Sequence, residues 1–339
     1  MSRGLVRELV RLGWPVLIAQ LAVMANSVID TIMAGRYGTL DLAAVGIGAS
    51  IYFSVFVALM GVLLALTPII AHLHGAGRHA DIGEEVRQSA WLAAALALIS
   101  LVLFAYPEPF LAVARLEPAL EAKVRAYLHA LAWAVPASLL FRVFYSFSTA
   151  ISRPRTMMAL TLVGLALKVP FNWIFMYGNL GAPELGSTGC AVATALASWI
   201  LCALAWAWCW YDPGYLQYRV FARWSWPSAK ALGRILSLGL PIGLTFLIDV
   251  TGFTFMALFI ARLGALYSAA HQIAANLAAL TFMLPLALGN AASVVVGQSL
   301  GARQYARARA AGLIGIGLLA TVLMFAYNMF FIRRQPKTA

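Results

Sequence analysis

Nine stretches of this 339-residue sequence are apolar for about 20 residues or more, and nothing else in it constrains the fold as strongly. They lie at approximately 14–35, 43–70, 88–106, 126–149, 157–177, 189–211, 235–261, 266–297 and 311–332. A helix needs about 20 predominantly apolar residues to cross the hydrocarbon of a bilayer. No water is available there, so each backbone N–H and C=O must be bonded within its own segment, and such runs become helices. The predicted fold is an all-α integral membrane bundle of about nine transmembrane helices. Composition agrees: 63% of residues are hydrophobic and 11% charged, against about 45–50% and about 25% in a soluble domain. The expected solvent of the outer surface is the lipid bilayer.

The formal net charge of +12 would suggest nucleic acid in a soluble protein. Here the basic residues fall mostly in short segments between apolar runs, where retention of Lys and Arg in the cytoplasm accounts for them. With the N-terminus inside, the cytoplasmic segments hold fourteen of the 24 basic residues, from Arg3, Arg7 and Arg11 through Arg153 and Arg155 to Arg303, Arg307 and Arg309. The other side holds eight, and Arg142 and Lys168 lie within helices. A multi-pass inner-membrane protein with a cytoplasmic N-terminus follows, and no nucleic-acid partner. Cys190, Cys202 and Cys209 share one apolar run without CxxC spacing or histidine partners, so neither a disulfide framework nor a metal site is expected. His72, His74 and His79 flank one loop without metal-ligand spacing. No GxSxG, HExxH, Walker A or GxGxxG stands in its required context, so an enzyme or an ATP-driven pump is not expected, and no prosthetic cofactor.

A long internal repeat organises the chain. A shift of 226 residues places Leu12-Gly13-Trp14-Pro15 on Leu238-Gly239-Leu240-Pro241, Gly38 on Gly264, Ala43-Ala44 on Ala269-Ala270 and Gly75-Ala76 on Gly301-Ala302, without a gap. Each unit of six helices starts on the same side, so the units are expected as parallel repeats about an axis along the membrane normal, one of the plans found in transporters. The expected organisation is an N-lobe at 1–211 with helices one to six, a cytoplasmic linker at 212–234, and an incomplete C-lobe at 235–339 with helices seven to nine. Ala339 corresponds to residue 113. Counterparts of 126–211 are thus expected to be missing, and a shortened chain with impaired transport is the expectation.

Charges inside the membrane mark candidate sites, because each costs at least about 2.5–3.5 kcal/mol at the bilayer centre. Of twelve acidic residues, only Asp30 and Asp249 lie within apolar runs. In repeat coordinates they are seven positions apart, hence on one helix face, and both are expected to point at the cavity between the halves. A desolvated carboxylate can carry a proton or bind Na⁺ with neighbouring oxygens; the plainer alternative is a structural hydrogen bond to another helix. Lys168 near the middle of the fifth run is a candidate partner that would keep Asp30 ionised without Na⁺ or a proton. Arg142 is expected to snorkel towards the cytoplasmic surface. Pro136, Pro170 and Pro285 are expected to mark kinks or unwound turns.

The sequence Gly13-Trp14-Pro15 followed by Val28-Ile29-Asp30-Thr31-Ile32-Met33-Ala34-Gly35 resembles the first helix of the multidrug and toxic compound extrusion (MATE) family, NorM-like branch. Asn172-Trp173-Ile174-Phe175-Met176-Tyr177-Gly178, Gly181-Ala182-Pro183-Glu184-Leu185-Gly186, Ala191-Val192-Ala193-Thr194-Ala195 and Ala269-Ala270-His271-Gln272-Ile273 continue the resemblance in order. It implies a secondary-active exporter of cationic amphipathic drugs or dyes, coupled to entry of Na⁺ or H⁺ and working by rocking of two lobes. By position, the resemblance implies that Asp30 binds the coupling ion, that Asn172 is its amide partner and that Thr194 is a hydroxyl near the same pocket. Asp249 stands where glutamate is usual, and Lys168 where asparagine is usual. Lys168 lies four residues before Asn172, on its face, and a tethered cation there is expected to compete with Na⁺ at Asp30. Other readings are a lipid-linked precursor flippase of the same architecture, with Lys168 and Arg142 as its basic groups, and a membrane fragment that transports nothing. The sequence gives no oligomeric state.

Overall fold

The computed structural model of the chain describes residues 2–114, 116–261 and 265–327. Gly264, the basic residues Arg115, Arg262, Arg333, Arg334 and Lys337, and the side chains of Ala269, Gln272 and Ile273 lie outside that description. Among the described residues thirteen α-helices follow one another: α1 (Ser2–Tyr37), α2 (Thr39–Leu63), α3 (Leu66–Gly75), α4 (His79–Ala105), α5 (Glu108–Ala114), α6 (Pro118–Ala132), α7 (Ala134–Ala150), α8 (Pro154–Tyr177), α9 (Ser187–Tyr211), α10 (Pro213–Leu216), α11 (Ala229–Ala261), α12 (Ala265–Gly301) and α13 (Tyr305–Tyr327). Among the described residues, seven spans are long and apolar enough to cross a membrane, and the bent pair α6–α7 makes an eighth. Helix α13 coincides with the ninth predicted run as far as Tyr327.

The breaks have local causes. A proline lacks an N–H, and its ring crowds the carbonyl four residues earlier. Pro136 is set against Ala132, where α6 ends, and α6 and α7 meet at 42°. Pro68 is set against Leu64, where α2 gives way to α3. Pro170 and Pro285, expected to mark kinks or unwound turns, lie inside helices α8 and α12, which run on past them. At the end of α8 Gly178 takes φ 71°, a left-handed cap that a residue with a Cβ adopts rarely.

Helices α1–α9 pack around a core in which Leu66, Ile70, Ile82, Val86, Leu128, Leu139, Phe144 and Phe147 are fully buried. Their outer faces stay apolar, as in Leu98, Ile99 and Val102 of α4 and Trp199 and Trp208 of α9, which suits lipid contact. Asp41 at the start of α2 ties three helices together. It is buried, 2.9 Å from Lys123 of α6, and accepts the backbone N–H of Ser187 at 2.8 Å where α9 begins.

The contacts between the two halves obey the 226-residue offset. Gly13 of α1 faces Leu288 of α12, and its equivalent Gly239 of α11 faces Val62, the equivalent of Leu288. Gly75 lies against the backbone of Gln298, while Gly301 lies against that of His72, the equivalent of Gln298. A Cβ at either glycine would overlap the opposing carbonyl oxygen. Gly297 lies against Ala71, its own equivalent, which places the pseudo-twofold axis there.

The segment between the halves is shorter and tighter than the linker expected at 212–234. Helix α11 starts at Ala229, and α10 occupies Pro213–Leu216. Tyr215 and Tyr218 are each 1% exposed. Tyr215 Oη lies 2.6 Å from Ser148 Oγ, and Tyr218 Oη 3.2 Å from His74 Nδ1. Arg87 of α4 donates to the carbonyls of Arg219 and Val220 and to Ser225 Oγ.

Candidate functional site

Helices α1 and α8 run parallel, with Trp14 beside Arg155, Asp30 beside Asn172 and Met33 beside Tyr177. Helix α9 returns antiparallel to α8, because the turn after Gly178 pairs Leu185 N–H with Phe175 O and Gly186 N–H with Met176 O. Gly189 then lies against the Phe175 backbone, and Gly164 against Leu201. That register brings one face of α8, carrying Lys168 and Asn172, between Asp30 of α1 and Thr194 of α9.

The resulting cluster is compact. Asn172 Nδ2 donates to Asp30 Oδ1 at 2.8 Å, and Lys168 Nζ stands 3.0 Å from the same oxygen. Lys168 also donates to Thr194 Oγ1, which in turn donates to the carbonyl of Cys190 at 2.9 Å. The Lys168 side chain is 4% exposed and that of Asp30 16%, so the ammonium is sealed while the carboxylate keeps an open edge. Asn172 is fully buried, and its Oδ1 has no hydrogen-bond partner among the described residues. An ammonium and a carboxylate in contact satisfy each other where water cannot, and the pair carries no net charge.

Four of the residues singled out by sequence therefore meet: Asp30, Lys168, Asn172 and Thr194. The expected Lys168–Asp30 pairing is present. Asp30 points into the α1–α8–α9 bundle, not across to the other half as expected, because α1 presents that face to α8. Asp249 does not join it. It stands exposed on α11 near the exposed Leu247, Ile248 and Phe253, and its equivalent in α1, Val23, is 60% exposed. Arg142, expected at the surface, has its Nε buried and unbonded among the described residues, with its guanidinium carbon 4.6 Å from the Tyr145 ring centroid. All three cysteines are buried and free along α9.

One neighbour escaped the sequence reading. Asn26 stands one turn before Asp30 on the same face of α1, and its Oδ1 is buried without a partner among the described residues. A polar residue four positions before an intramembrane acid was the available signal.

The MatE family profile matches residues 15–174 and 241–336. A probable multidrug resistance protein NorM of Aromatoleum aromaticum is 43% identical over 327 residues, covering 96% of this chain and 71% of its own length. A multidrug resistance protein NorM of Vibrio cholerae is 38% identical over 309 residues, covering 91% of this chain and 68% of its own length. Among solved structures, the MATE transporter NorM-NG in complex with a rhodamine dye and a monobody is 32% identical, with a TM-score of 0.76 over 96% of this chain and 71% of that one. A MATE structure in the bent conformation gives a TM-score of 0.86 at 20% identity, over 97% of this chain and 73% of that one, which bears on the fold alone.

Proposed function

This chain belongs to the MatE family, and from that membership we propose that it is a multidrug efflux antiporter that expels cationic amphipathic compounds in exchange for Na⁺ or H⁺. The observation that carries the reading is the half-sealed carboxylate of Asp30, held by Asn172 and Lys168 inside a membrane-embedded bundle. A carboxylate in such surroundings interacts strongly with a proton, or with any cation that can displace the Lys168 ammonium from it. Where the coupling cation and a cationic drug compete for one carboxylate, binding of either weakens binding of the other, and that reciprocal coupling is the thermodynamic core of antiport. The NorM-NG complex with a rhodamine dye supports a dye-like substrate for this chain. The site roles follow in the same way: Asp30 exchanges cations, Asn172 and Thr194 position the groups around it, and Asp249 offers a second carboxylate on α11.

Alternating access needs a side that closes. Glu8 and Arg307 stand 2.9 Å apart across the halves, and Arg234 and Glu85 stand 3.1 Å apart. Gln298 donates to Ala150 O at 2.7 Å and to Ser152 Oγ at 2.9 Å. All three ties lie at the end that carries the interlobe segment. Its arginines, Arg87, Arg153, Arg155, Arg219, Arg223 and Arg303 among them, support placing that end in the cytoplasm of a bacterial inner-membrane protein, with the N-terminus inside. The flippase alternative needs Lys168 and Arg142 as free basic groups, and Lys168 is already paired with Asp30.

Efflux of a cationic fluorescent dye from cells making this chain, compared with an Asp30→Asn variant, tests the proposal. Gradient-dependent efflux that is lost in the variant is the expected result. Equal retention of dye by both and by empty cells, with the protein confirmed in the membrane, would overturn it.

A further inference from the structure

We propose that the Lys168 ammonium is the resident cation of the Asp30 site and makes the site indifferent to Na⁺. The proposal rests on the antiport reading and narrows its coupling ion. Three facts carry it. The ammonium already stands where the carboxylate of Asp30 and the hydroxyl of Thr194 converge. Two of the oxygens a metal ion could use are engaged: Asp30 Oδ1 faces both Lys168 and Asn172, and Thr194 Oγ1 is committed to Lys168 and to the Cys190 carbonyl. Asn172 turns its amide nitrogen to Asp30, so the amide oxygen that a metal ion would use is directed away and left without a partner among the described residues.

Charge balance points the same way. The pair is neutral, so Na⁺ entering beside it would give up its hydration shell and find no uncompensated negative charge. It would also sit next to a fixed like charge in surroundings where screening is weak. Removing the ammonium reverses both conditions. Asp30 then holds an uncompensated charge, and Asn172, free to turn its amide over, can present Oδ1 to a metal ion. Lys168 therefore sets cation specificity, and its neutral variants acquire a response to Na⁺ that the parent lacks.

The test reads binding on purified protein and needs no transport. Melting midpoints are measured in NaCl and in choline chloride at matched ionic strength for the parent and for Asp30→Asn, Lys168→Asn, Lys168→Gln, Lys168→Arg and the double variant Lys168→Asn/Asp30→Asn. The parent and Lys168→Arg are expected to melt at the same temperature in both salts. Lys168→Asn or Lys168→Gln is expected to gain a saturable stabilisation by Na⁺ of a few °C at large excess, absent from the double variant. A saturable Na⁺ response in the parent that disappears in Asp30→Asn would overturn the proposal, and this holds even if the neutral variants fail to fold. Na⁺ indifference in a folded Lys168→Asn would overturn it as well. Absence of dye efflux would count against the antiport reading only, since the melting experiment reports cation binding by itself.

Discussion

Asp212 opens the interlobe segment with three partners, and they work against its own burial. It accepts Gly214 N–H at 2.7 Å and the Trp208 indole at 3.1 Å, with the Arg153 guanidinium at 3.1 Å and 3.2 Å. Burial pushes its pKa up; the Gly214 amide, Arg153 and Trp208 outweigh that and leave it below the usual 3.8. A lowered folded value means that its contribution is complete above 3.8 and is lost as pH falls through the folded value. Asp212→Asn keeps an oxygen for the Gly214 N–H but removes the charge facing Arg153, and is expected to cost up to about 1 kcal/mol near neutral pH, the scale of a partly exposed ion pair, with a difference that shrinks below about pH 4. Melting of both proteins across that range checks it; a difference independent of pH would contradict the assignment. At this scale the membrane site was largely legible. Asp30, Lys168, Asn172 and Thr194 are polar interruptions of apolar runs, and their cost in lipid singles them out. Asp249 satisfied the same rule and stands apart, because the rule finds a costly residue without saying what faces it.

Helices were legible where composition alone decides and less so where a neighbour does. Pro136 and Pro170 look alike in the sequence, yet only the first coincides with a break. The interlobe segment is a stronger case. Its sequence is that of a loop, whereas its order comes from α4. Gln88 is fully buried; its Nε2 donates to Trp226 O at 2.8 Å, and its Oε1 accepts Ser228 N–H at 2.8 Å. Nothing in residues 212–228 foretells that partner, because α4 lies more than a hundred residues earlier. Gln88→Leu leaves a backbone carbonyl and an N–H without their bonds, at about 1–3 kcal/mol each where water stays excluded. Faster tryptic cleavage after Arg219 and Arg223 is expected, while cleavage within the rest of the chain stays as in the parent. Cleavage at the parental rate would mean that Arg87 and the buried tyrosines hold the segment unaided.

For the molecule as a whole, the repeat read from four short matches becomes a statement about contacts. Position 8 maps onto 234 and position 307 onto 81, and the interlobe ion pairs are Glu8–Arg307 and Arg234–Glu85, the latter one helical turn from Asp81. The two sites keep the geometry while exchanging the sign of the charges. That exchange hides them from any comparison of residue identities. The glycine approach keeps both geometry and identity, and it carries the sharper prediction. Gly75 and Gly301 each press on the backbone of the other half at one end of the bundle. A backbone carbonyl cannot turn aside as a side chain can, so Gly75→Ala and Gly301→Ala should each force the halves apart there. Overpacking of this kind costs about 1–3 kcal/mol. Because one separation relieves both clashes, the double variant should lose clearly less stability than the two single losses added together. Melting midpoints of the four proteins decide the matter. Near-equal single effects with a sub-additive double would establish that the halves share one rigid, twofold-related contact at this end; one neutral and one severe variant would show that the two approaches are independent, and that the symmetry of the sequence is not a symmetry of the forces.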